Sequence, residues 1–159
     1  MRYLYLIILT CLYTPITTAQ TFAPICFEID EIHPTVQFPT AAKKTTRACL
    51  EELIIQDNGN NETLIISNGI ITRDHIADRT FQNEIIVPTR LLSIGASIPL
   101  YQLSESDYTH GGKTRWRGKT VMNLTSGNSG VNISVYAGFR VTDSPGSTTY
   151  YRISYKQAP

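Results

Sequence analysis

Cysteine is scarce in this 159-residue chain, with three in all, and methionine and tryptophan are scarcer, with two and one. The cysteines show no Cys-x-x-Cys spacing and no clustered histidine, so neither a redox pair nor a zinc site is indicated. Charge of one sign is missing as well: 14 Lys+Arg stand against 13 Asp+Glu. A nucleic-acid binder would show a basic stripe and a high pI, so nucleic acid is set aside as a partner. A membrane-surface helix would need basic residues on a polar face, and none is seen. No Gly-x-Ser-x-Gly elbow, internal repeat or sustained helical period occurs. No cofactor or metal motif is present, and no catalytic set is complete.

What is there begins with an N-terminal leader pattern. Arg2 gives a positive start, Leu4 to Leu12 an apolar run, and Thr17-Thr18-Ala19 small residues before Gln20. That order is the signature of a cleaved secretory signal peptide. The run is shorter than the roughly 20 residues that span a bilayer, and no second apolar segment of that length follows. Pro15 and the lack of an amphipathic period argue against a buried helix. Cys11 lacks the small preceding residue expected of a lipidated cysteine. Residues 1–19 are therefore expected to leave, and residues 20–159 to form one secreted or periplasmic domain without a transmembrane segment. Loss of Cys11 leaves Cys26 and Cys49, which in an exported chain are expected to form a disulfide. Closing that loop would stabilise the fold by roughly 3 kcal/mol.

Thr, Ser, Ile and Tyr are abundant, which favours half-buried pleated surfaces. Ile25 to Ile32 alternates and ends at His33-Pro34. Ala48 to Gln56 fits either a helical face or a strand. Asp57-Asn58-Gly59-Asn60-Asn61 reads as a turn, and Asn68-Gly69 as a type I′ hairpin between Thr63–Ser67 and Ile70–Thr72. Asn83–Val87, Ser97–Leu103 and Lys119–Leu124 read as further strands. The clearest period of two runs from Val131 to Val141, with Val131, Ile133, Val135, Ala137, Phe139 and Val141 in one phase. Thr149 to Lys156 returns, with Tyr151, Ile153 and Tyr155 inward. These two strands should form a hairpin near the centre of a sheet. Seven to nine strands with Gly, Asn or Pro turns point to an all-β, antiparallel β-sandwich with one disulfide, its topology open between Ig-like and C2-like.

Three features invite a functional reading. Asp74-His75 and Asp107-x-x-His110 put a carboxylate beside an imidazole, the basis of a small secreted hydrolase or toxin, but no nucleophile is poised against them. Asp57, Asn58, Asn60, Asn61 and Glu62 gather oxygen ligands. With Glu105 and Asp107, and with Gly118 before a strand, they are the basis of a calcium-dependent, C2-like lipid or glycan binder. That reading requires residues 57–62 and 105–107 to converge at one end of the fold. The stretch from Tyr108 to Arg117 is expected to be a long loop with a flexible Gly111-Gly112 pair. It holds Tyr108, His110, Arg115, Trp116 and Arg117, and Trp, Tyr and Arg dominate interface hot spots. These five are the candidate binding residues. Trp116 could equally be a core anchor at a strand start. The leading expectation is a binding module that recognises a protein or glycan partner, as an adhesin or pilus-associated subunit, an inhibitor or an immunity protein does.

Overall fold

The computed structural model describes residues 19–22, 24–35, 44–108, 114–127, 129–143 and 146–159. The expected leader up to residue 18, and His110, lie outside them. The described residues form β1 (Gln20–Phe22), β2 (Ile25–His33), β3 (Thr45–Gly59), β4 (Glu62–Arg73), β5 (Arg79–Pro88), a short helix α1 (Thr89–Ser93), β6 (Ile98–Tyr108), β7 (Thr114–Gly127), β8 (Gly130–Asp143) and β9 (Thr148–Gln157). No helix among them is long and apolar enough to cross a membrane.

All pairing is antiparallel and runs in one path, β5-β4-β3-β2-β9-β8-β7-β6, with β1 added to β3. From β2 to β5 and from β6 to β9 each strand thus lies beside its neighbours in sequence, and β9 closes back onto β2. The strands do not separate into the two packed sheets expected from their number. They form a single sheet, curled until its edges β5 and β6 meet. No backbone ladder joins those edges. Side chains bridge them instead: Asn83 Nδ2 donates to the Leu100 carbonyl at 2.8 Å, and Phe81 stacks on Tyr101 with ring centroids 4.5 Å apart. The sheet is a nearly closed barrel. Long strands with a strong natural twist coil in this way. Pro99 lies on this edge strand, at a shift in the register of β6 against β7.

Alternation fills the interior. Leu50, Leu53, Ile65, Ile71, Leu100, Met122 and Leu124 make one cluster, and Trp116, Ala137, Phe139, Val141, Tyr151 and Ile153 another. Cys26 and Cys49 face each other across β2 and β3 and are bonded. The bond staples a short ladder, which runs only from Ile25 opposite Leu50 to Glu28 opposite Arg47.

One open local reading is settled and one is overturned. Ala48 to Gln56 belongs to the strand β3. Asn68-Gly69 is no hairpin but the middle of β4, paired to Gln82 and Phe81. Glycine stands there because a Cβ would overlap the Cys49 carbonyl oxygen and the Phe81 ring. Gly118 is similar, since its missing side chain admits the Phe139 ring.

Candidate binding surface

Of the expected loop from Tyr108 to Arg117, the described residues Tyr108 and Thr114–Arg117 are strand, and residues 109–113 lie outside the described residues. Tyr108 ends β6 opposite Arg115, and Arg115, Trp116 and Arg117 belong to β7. Successive residues of a strand face opposite sides, so the three candidates part company. Trp116 is 2 % exposed and sits 6.0 Å from the Phe139 ring. Arg115 and Arg117 are exposed on the outer face.

The register shows what joins them there. Arg115 lies opposite Thr142, Arg117 opposite Arg140, and Lys119 opposite Gly138. On the next strand Tyr150 lies opposite Arg140, Arg152 opposite Gly138, and Ser154 opposite Tyr136. On β2, His33 lies opposite Arg152 and Glu31 opposite Ser154. All occupy the outer side, because Trp116, Ala137, Phe139, Tyr151 and Ile153 fill the inner one. Arg115, Arg117, Arg140 and Thr142 line a depression of about 160 Å³. Beside it a shallow groove of about 560 Å³ runs over Gly138, flanked by Lys119, Tyr136, Arg152, His33 and Glu31. Tyr136 and Tyr150 are 45 % and 68 % exposed. Within the groove, His33 Nε2 donates to Glu31 Oε2 at 2.9 Å.

Lys119, Tyr136, Arg140, Tyr150 and Arg152 were not among the sequence candidates. The signal was present, since the same alternation that turns Phe139 and Tyr151 inward turns Arg140, Tyr150 and Arg152 outward.

A second polar group lies at one end of the barrel interior. Arg73 and Glu105 form an ion pair whose side chains are 6 % and 16 % exposed, and Arg73 also donates to the Ala77 carbonyl. Thr45 and Thr120 hydroxyls bond at 3.0 Å, and Tyr155 Oη donates to the Thr45 carbonyl at 2.8 Å. Burial pushes the Tyr155 phenol above the ordinary tyrosine range, opposed by a hydrogen bond with the Thr120 side chain and helped by the charge of Asp74. A cavity of about 490 Å³ opens beside Arg73, Glu105 and Trp116. Because Glu105 neutralises the guanidinium, that cavity offers a ligand no unmatched charge from Arg73.

The other sequence candidates are dispersed. Asp74 pairs with Lys44, and His75 sits exposed in the β4–β5 turn with a positive φ of 58°. Residues 57–62 form the β3–β4 turn, in which Asp57 accepts from the Gly59 N–H at 2.9 Å and Asn58 donates to Glu62 at 3.3 Å. That turn and residues 105–107 lie at opposite ends of the barrel, so the convergence a calcium site needs does not occur. Among the described residues no group of three or more His, Cys, Asp or Glu could hold a metal ion. Comparison with protein families, characterised proteins and solved structures finds no match for the chain.

Proposed function

We propose that the chain is a secreted or periplasmic binding module acting by surface recognition of a protein or glycan partner. The outer face of β7, β8 and β9 is its recognition surface. The roles that suit it are those of an adhesin or pilus-associated subunit, or of an inhibitor or immunity protein.

One observation carries the reading: Arg117 and Arg140 stand directly opposite each other on exposed strand positions. Like charges on a cross-strand pair destabilise a sheet. Fold stability alone therefore favours another residue at one of these positions, whereas a ligand that pairs with both guanidinium groups favours keeping them. The exposed Tyr136 and Tyr150 on the same face supply the aromatic contacts that interfaces favour. The Cys26–Cys49 bond suits an oxidising compartment, as does the leader pattern.

Affinity capture tests this. The purified protein is immobilised and exposed to the exported and surface fraction of its source. A variant with Arg117→Ser and Arg140→Ser and a control with Glu84→Gln on β5 are run in parallel. The expected result is a partner held by the parent and the control and lost by the double variant. A partner held equally by all three overturns the assignment of the face.

A further inference from the structure

We propose that this face binds an acidic polysaccharide, a sugar chain bearing uronate or sulfate groups; the inference rests on the face being the recognition surface.

Charge is the first argument. Residues 20–94 carry ten carboxylates and six Lys+Arg, a formal −4, while residues 95–159 carry seven Lys+Arg and three carboxylates, a formal +4. Among the described residues the outward positions of β7, β8 and β9 hold Arg115, Arg117, Lys119, Arg140, Arg152 and Lys156; the one exposed carboxylate on these strands is Asp143, at the end of β8, and Lys156 pairs with Asp30 of β2 at 3.7 Å. From Arg115 to Lys119 the strip is about 14 Å long at the rise of a strand. It presents paired cations at successive rows, which suits a chain with regularly spaced anionic groups. The depression between Arg115, Arg117 and Arg140 is the size of a single anionic group. Guanidinium forks match the planar carboxylate and the sulfate oxygens with two parallel hydrogen bonds each.

Gly138 is the second. Gly69 and Gly118 are glycines because packing leaves no room for a Cβ. At Gly138 the nearest atom to an added Cβ is the Tyr151 carbonyl oxygen at 3.9 Å, an ordinary contact. Neither packing nor a left-handed backbone angle requires glycine there, and glycine weakens a strand interior. Its effect is to open the groove between Lys119 and Arg152, so that a ligand can rest on bare backbone.

The remaining groups favour sugar over nucleic acid. Tyr136 and Tyr150 offer rings against which the apolar face of a sugar can lie. Glu31, Ser154 and Thr142 offer oxygen acceptors to sugar hydroxyls. A phosphodiester backbone has few donors for them.

The test is titration of the purified protein with a sulfated polysaccharide, a polyuronate, neutral dextran and a single-stranded oligonucleotide, followed by calorimetry and repeated at rising salt. The variants are Arg117→Ser with Arg140→Ser, Gly138→Thr, and Glu84→Gln as control. The expected result is binding to the sulfated chain, the polyuronate or both, none to dextran, and at least a tenfold loss in the double variant and in Gly138→Thr with melting temperature kept. The ratio of the two acidic ligands tells sulfate from carboxylate. Tighter binding of the oligonucleotide, or binding indifferent to Gly138→Thr, overturns the proposal, the second because it marks simple ion exchange. If no acidic polysaccharide binds, yet the double variant still loses its captured partner, the ligand class falls and the recognition surface stands.

Discussion

The barrel is built from two meanders, β2 to β5 and β6 to β9, of the same up-and-down form. The first turns Glu51, Glu62 and Glu84 to solvent and holds the disulfide; the second turns out Arg115, Arg117, Arg140 and Arg152. Inside, both are filled with aliphatic and aromatic side chains. The same topology and the same kind of core thus leave the outer faces free to differ, and they differ in charge. An exterior can take on a binding task while the alternation that builds the interior goes on undisturbed.

The largest expected effect concerns β7, where the two sides meet in adjacent residues. Trp116→Ala should lower stability by about 4 kcal/mol through the cavity it leaves. Arg115→Ala and Arg117→Ala should each change it by no more than about 0.5 kcal/mol, as exposed positions do. Urea unfolding of the three variants checks this, and arginine variants as unstable as Trp116→Ala would break the division into inner and outer sides.

Next is the Arg73–Glu105 pair, which ties β4 of the first meander to β6 of the second. Arg73→Met leaves a buried carboxylate without its partner and should cost roughly 3–4 kcal/mol. Adding Glu105→Leu should recover most of that loss. A double variant no more stable than the single one would show that the pair does not join the meanders.

The disulfide follows. Replacing Cys26 and Cys49 by serine should cost roughly 3 kcal/mol of loop-closure entropy. Because the bond lies within the first meander, binding by the β7–β9 face should survive below the melting point, as titration of the folded variant would show.

Alkaline pH probes the seam through Tyr155, on β9 with its hydroxyl on β3. Its folded pKa lies above the unfolded value, so its contribution to stability is complete below about pH 10 and falls as the pH rises past that value. Tyr155→Phe should flatten this alkaline fall in a melting series.

The smallest effect has the opposite sign. Arg140→Thr removes a like-charge neighbour and adds a strand-favouring side chain, and should raise stability by about 0.5 kcal/mol while weakening binding. A loss of stability would mean that the arginines are held for the fold.

Much of the fold was legible in the sequence. Val131–Val141 and Thr149–Lys156 alternate without interruption, and the structure places them together as β8 and β9. Cys26 and Cys49 paired as expected. Closure of the sheet was not legible, because it depends on contacts such as Phe81 with Tyr101 that no local pattern encodes. Asn68-Gly69 misled because a glycine required by a neighbouring carbonyl looks like a turn glycine. The candidate site was half legible. Arg115 and Arg117 were noticed for their company with Trp116, which in fact faces the other way. Their real neighbours, Arg140, Tyr150 and Arg152, are distant in sequence and meet them only through the ladders. The near-neutral total also hid the opposite charges of the two halves, which a count taken half by half reveals.

The most direct measurement is on Gly138→Thr, read for melting temperature and for affinity toward the captured partner or the acidic polysaccharide. A protein at least as stable as the parent, with affinity at least tenfold weaker, is the predicted result. A stable variant that binds as the parent does would contradict the claim that the groove over Gly138, on the outer face of β7–β9, receives the ligand.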